Sequence, residues 1–238
     1  MKTKKKIIRT IFSIIGIIAI LCAAVIGYFA IKGAVMWNDA KSGKPVEKTV
    51  AQLQTEDGFA RVSELPQFYI DAVISVEDRK FRTHNGINLK SIARALLYDV
   101  ATLSFEQGGS TITQQLAKNL WFTQEKRIER KFAEVYAAFE LESVLSKDEI
   151  FELYVNTIYF GSDYYGVTEA ARGYFNKAPS ELSEYECAML AGLPNAPSVY
   201  SPNESPELAR QRLRLVLDSM ERCGIITAAH SEEVMAAV

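Results

Sequence analysis

The 238-residue chain is poor in metal- and disulfide-forming side chains, with three cysteines (Cys22, Cys187, Cys223) and two histidines (His84, His230). That scatter excludes a disulfide framework, a zinc centre and a His-rich metal site. Pairing of Cys187 with Cys223 needs Cα atoms within about 7 Å and stays open at this stage. Also missing are an alternating strand pattern, a repeat of 20–50 residues, a Gly-x-x-x-x-Gly-Lys-Ser/Thr loop, and the Ser-x-x-Lys and Lys-Thr-Gly signatures of penicillin-reactive serine enzymes. Acids are absent from positions 1–32, which hold six of the 27 bases; the other 21 face 29 acids, a net of −8. A domain of that sign has no global attraction for nucleic acid.

What is present begins with 22 uncharged residues from Thr10 to Ile31. As a helix they reach roughly 33 Å, enough to cross a hydrocarbon core of about 30 Å. The run is longer than the apolar core of a signal peptide and has no Ala-x-Ala cleavage pattern, so an uncleaved anchor is expected. Five bases precede it, which favours a cytoplasmic N-terminus and an extracytoplasmic catalytic domain in a single-pass arrangement. The expected division is a basic tail over 1–9, a transmembrane helix over 10–31, a linker over 32–60 and a globular domain over 61–238. Gly43 and Pro45 give Asn38 to Lys48 its linker composition.

Beyond the linker the pattern is helical, and the expected class is all-α. Pro66 can open a helix through Ile70, Val73, Ile74 and Val76. Leu89, Ile92, Leu96, Leu97 and Val100 repeat at helical spacing, as do Ile128, Phe132, Val135 and Phe139. Thr111-x-x-Gln114, Ser146-x-x-Glu149 and Ser183-x-x-Glu186 read as capping boxes, and Ser205-Pro206 and Gly224 as a start and a stop.

Four segments could carry chemistry. Glu77 and Asp78 end an apolar helical stretch before a turn reaching Gly86, where a carboxylate can lose solvent and become a general base; paired with Arg79, Lys80 or Arg82 they make an ordinary solvated face instead. Gly109-Ser110-Thr111 before a capping box presents free backbone N–H groups to an anion or sugar, or is simply a capped helix. Lys118, Lys126, Arg127, Arg130 and Lys131 gather cations around Glu134; this is a diphosphate clamp or a salt-bridged surface helix. Tyr154, Asn156 and Tyr159 close a further capped helix, suited to a sugar by stacking and hydrogen bonding, or to burial with one satisfied polar tip.

Taken in order, Glu77-Asp78-x-x-Phe81-x-x-His84-x-Gly86, Gly109-Ser110-Thr111-Ile112-Thr113-Gln114-Gln115, Arg130-Lys131-x-x-Glu134, Tyr154-x-Asn156-x-x-Tyr159-x-Gly161 and Arg212-x-x-x-Val216-Leu217 resemble five motifs of the peptidoglycan glycosyltransferases. This is glycosyltransferase family 51, the lysozyme-like domain found alone or at the N-terminus of class A penicillin-binding proteins. The resemblance implies polymerisation of lipid II into β-1,4-linked glycan with release of undecaprenyl diphosphate, in the bacterial cell membrane. It makes Glu77 the general base and Glu134 the second catalytic carboxylate, beside the departing diphosphate, where it orients that group or binds a divalent ion. The implied substrate-binding residues are Asp78, Lys80, Phe81, His84, Ser110, Thr111, Gln114, Gln115, Lys118, Lys126, Arg130, Lys131, Asn156 and Tyr159. Lys126 departs from the family's arginine: it keeps the charge but loses bidentate geometry. A divalent cation, magnesium or manganese, is the cofactor expected; there is no organic one. Expected partners are lipid II, the lipid-linked glycan, the membrane, penicillin-binding transpeptidases and other wall-synthesis proteins. Without transpeptidase signatures, the monofunctional form is expected. The competing reading is a membrane-anchored peptidoglycan hydrolase or lytic transglycosylase, against which the cation cluster argues, since finished glycan carries no diphosphate.

Overall fold

The computed structural model describes residues 2–94, 109–123, 125 and 127–237. Within those residues the fold is all-α, as expected, and its one β contact is the isolated bridge Tyr159–Tyr165. Helix α1 runs from Lys2 to Gly43 without a break. It is long and apolar enough to cross a membrane, and the side chains from Phe12 to Leu21 stand exposed.

The expected linker over 32–60 is not one. Its first part continues α1 and packs along α5 (Ile128–Val144). Gly33 makes this approach possible, because a Cβ there would meet Phe132 Cβ at 2.4 Å and the Ala133 nitrogen at 2.8 Å. Four residues on, Trp37 is 3% exposed, donates to Glu140 Oε2 at 2.8 Å, and lies edge-on to Trp121. Lys41 reaches the same carboxylate at 2.7 Å. Lys44 and Trp121 then exchange backbone contacts: Lys44 Nζ donates to the Leu120 carbonyl, and Trp121 Nε1 to that of Lys44. Pro45 turns the chain into α2 (Val46–Leu53), which buries Val46, Thr49 and Val50. The core therefore begins at Trp37, and a composition that looked like a linker is overridden by packing.

Helix α3 (Gln67–Glu77) follows Pro66 and is central, burying Tyr69, Ile70, Ala72, Val73 and Ser75 against α8 (Glu184–Gly192) and α9 (Pro206–Arg222). Two further helices, α4 (Ile112–Trp121) and α6 (Lys147–Thr157), pack on each other, and α7 (Val167–Phe175) and α10 (Ala228–Ala236) complete the body. All three capping boxes form. Ser205 caps α9 without a side-chain bond, leaving Pro206 as the start signal, and Gly224 ends it at φ 71°. The helix expected through Leu89 and Ile92 is present over 89–94, while Leu96, Leu97 and Val100 lie outside the described residues.

One helix is placed correctly but faces the other way. In α5 the apolar series meets solvent or α1, with Ile128 and Phe139 exposed and Phe132 beneath Gly33. The side turned to the core carries Arg130, Ala133, Glu134, Ala137, Ala138 and Leu141. All three cysteines are free.

Candidate active site

Glu77 is the last residue of α3, and Asp78 leaves the helix in an extended conformation. Glu77 stays about one-tenth exposed. Gln115 Nε2 on α4 donates to its Oε2 at 2.8 Å, and Arg212 Nη2 on α9 stands 3.9 Å from its Oε1. Burial raises the Glu77 pKa above the usual carboxylate value, with Asp78 adding to the rise; Gln115, Arg212 and Lys118 pull against it. Behind Gln115, the fully buried Tyr154 of α6 donates its hydroxyl to Gln115 Oε1 at 3.3 Å.

Asp78 has a different role. Its Oδ2 accepts from His84 Nε2 at 2.7 Å and from the backbone N–H of Ile112 at 3.1 Å, so it ties the turn after α3 to the start of α4. Thr111 reinforces the joint by donating to the Gly86 carbonyl at 2.6 Å, and it exchanges capping bonds with Gln114. Gly86, at φ 88°, permits that turn, and a Cβ there would lie in tight contact with the Ala138 carbonyl at 3.1 Å. Asp78, His84, Thr111 and Gln114 thus hold Glu77 and α4 in register.

The cation group forms around α4 and α5. Glu134 is fully buried, with Lys131 Nζ 2.6 Å from Oε2 and Arg130 Nη1 3.3 Å from Oε1. Arg130 also donates to the Thr123 carbonyl, and half-exposed Lys131 reaches Ser110 Oγ at 3.1 Å. Lys118 interacts electrostatically with both Glu134 and Glu77; burial lowers its pKa, Lys131 and Arg130 lower it further, and the two carboxylates oppose. One carboxylate among cations, Glu134, and a second at a helix end, Glu77, both act on the charge of Lys118.

Several expected contacts lie elsewhere. Phe81 is wholly buried against Phe151, with Lys147 over its ring at 4.7 Å, and cannot touch a substrate. Asn156 spends its amide on Ala60 and Glu152: it accepts from Ala60 N–H and donates to both carbonyls, which clamps the segment before α3. Tyr159 stacks on Tyr165 in a turn and accepts from Asp163 N–H. Lys80 is exposed, and Lys126 lies outside the described residues. Arg212 and Tyr154, absent from the expected contact set although both stand in the quoted motifs, are the additions. Arg212 is pinned by the Gly192 carbonyl at 3.1 Å and by the Tyr200 ring.

Glu134 is a poor metal cage. It is one carboxylate already matched by two cations, and no cluster of three His, Cys, Asp or Glu side chains occurs among the described residues.

Comparison with known proteins places the chain in a family. Penicillin-binding protein 1A of Neisseria flavescens is 42% identical over 177 residues, covering 74% of this chain and 22% of that protein. Penicillin-binding protein 1F of Bacillus subtilis is 39% identical over 238 residues, covering 95% of this chain and 33% of that one. The chain thus spans between about a fifth and a third of these relatives. A solved structure of penicillin-binding protein 1A from Haemophilus influenzae covers 76% of this chain and 17% of its own, at 23% identity and a TM-score of 0.45. The Transglycosylase family model matches residues 42–221, three quarters of the chain, and the protein belongs to that family.

Proposed function

We propose that the protein polymerises lipid II: Glu77 removes the proton from the acceptor sugar's 4-hydroxyl as that oxygen attacks the anomeric carbon of the lipid-linked donor. The new bond is β-1,4, the configuration inverts, and the bond to the lipid diphosphate breaks with its electron pair. The observation that carries the reading is the nearly buried Glu77, held by Gln115 with Arg212 at ion-pair distance, together with the cations gathered on Glu134. Glu77 Oε2 is occupied by the Gln115 N–H, while Oε1 has Arg212 at ion-pair distance only. Oε1 is the oxygen that accepts the proton.

Lys118, Arg130 and Lys131 would meet the departing diphosphate, and Glu134 would orient them rather than react, since it is fully buried between two cations. The residues around Glu134 do not fit a magnesium or manganese ion, and no step is assigned to one. Helix α1 would hold this site at the membrane surface where a lipid-linked substrate is confined.

Purified protein given lipid II tests the reading. Polymer from the native chain and none from Glu77→Gln supports it. Shortened glycan instead of polymer would make the protein a hydrolase, and binding without turnover would remove Glu77 from catalysis.

A further inference from the structure

A glutamine amide beside a carboxylate can present either of two faces. Its N–H₂ stabilises the ionised acid, whereas its carbonyl repels it and favours the protonated form. Gln115 has one hydrogen-bond partner on each side: Glu77 Oε2 at 2.8 Å from Nε2, and the Tyr154 hydroxyl at 3.3 Å from Oε1. A phenol hydroxyl that must donate leaves the amide no choice. Tyr154 lies inside α6 with no exposed surface, and Gln115 is the acceptor that satisfies its hydroxyl.

We propose that Tyr154 is a positioning residue that acts through Gln115: by donating to Oε1 it fixes the amide so that only N–H faces Glu77, keeping the base ionised and its Oε1 turned to the sugar hydroxyl. The proposal rests on the reading of Glu77 as general base. The groups facing Glu77 are Asp78 from its own turn, Gln115 and Lys118 from α4, Arg212 from α9 and Tyr154 from α6. Among them only Gln115 can switch between helping and opposing the charge by a half-turn of its end group. Burial, with Glu77 nearby, holds the Tyr154 hydroxyl well above its ordinary pKa, so it remains a donor throughout the working range.

The experiment is the pH–rate profile of the full chain in detergent with lipid II, for the native protein, Tyr154→Phe, Gln115→Met and the double variant. Tyr154→Phe keeps the ring and removes the donor. Its acid limb should move up by as much as about one pH unit, the worth of one charge-assisted hydrogen bond, with the rate on the alkaline plateau retained. Gln115→Met should shift the limb at least as far, and the double variant should match Gln115→Met alone. An unmoved limb in either single variant, or a Tyr154 effect that persists without Gln115, overturns the proposal. Glu77→Gln separates the two readings. If it stays active, the base assignment falls; if it is dead while Tyr154→Phe is unshifted, only the positioning role falls.

Discussion

Glu77 carries a conflict between stability and chemistry. Burial raises its pKa, so the folded chain binds its proton more tightly than the unfolded chain does. The corresponding stability is full below the unfolded pKa and lost as pH rises through the folded one. Glu77→Gln, an uncharged near-isostere, should therefore abolish polymerisation yet raise the melting temperature at neutral pH by roughly 2–4 °C, about 1 kcal/mol for a chain of this size. Equal melting temperatures at neutral pH would mean that Gln115, Arg212 and Lys118 fully offset the burial. If Glu77 is the base, activity should decline as pH is lowered, with the midpoint of that acid limb above the usual carboxylate range, because the ionised form is the one that accepts the proton. Lys118→Ala removes a half-buried cation that feels both carboxylates. It should weaken diphosphate-bearing substrate by about tenfold or more in kcat/KM while leaving affinity for diphosphate-free glycan near the native value. Equal losses on both would make Lys118 a general structural residue.

With α1 in a membrane, its pairing with α5 would make it a strut rather than a tether. Glu134 and Lys131 sit on the same helix that takes Gly33 against Phe132 and Ala133 and holds Trp37 through Glu140. Tilting α1 in the bilayer would therefore tilt the site with it. Gly33→Ala already places a Cβ 2.4 Å from Phe132 Cβ, and the overpacking should cost about 1–3 kcal/mol. Activity in bilayers should drop more than activity in detergent, where no surface fixes the orientation; a parallel drop in both would show that the pairing only stabilises the fold. Trp37→Ala should cost about 3–5 kcal/mol, as expected for a large side chain only 3% exposed, and is read by thermal denaturation.

At the scale of the whole molecule, the position of a truncation decides its effect. Removing residues 1–31 leaves Gly33, Trp37 and Lys41 in place and should yield a folded domain that polymerises detergent-solubilised lipid II, more slowly than the full chain does in bilayers. Cutting through Trp37 removes a core residue and the partner of Glu140, and should lower the melting temperature sharply. Circular dichroism melts of the two truncations compare them directly; equal melting temperatures would return 32–43 to the role of a linker. Ile128 and Phe139 stay exposed on α5, the helix that α1 packs along.

The amino-acid sequence by itself determined the helical class, the apolar span, all three capping boxes and the two carboxylates, because these depend on local spacing and on side chains that act on their own backbone. It did not reveal the direction that α5 faces. Its apolar series follows the helical period, but Gly33 and α1 cover that side, and the core accepts Arg130 and Glu134 because they neutralise each other. Nor could spacing separate Phe81 and Asn156, which stand inside recognisable motifs, from residues that reach the site. A buried ring and an amide clamped to Ala60 are known only when distant segments meet. The same holds for Arg212 and Tyr154, which lie 135 and 77 residues from Glu77 in the chain and reach it only through folding. Tertiary structure decided these matters because burial and hydrogen-bond partnership are properties of contacts between elements, and local pattern constrains each element only up to its own face.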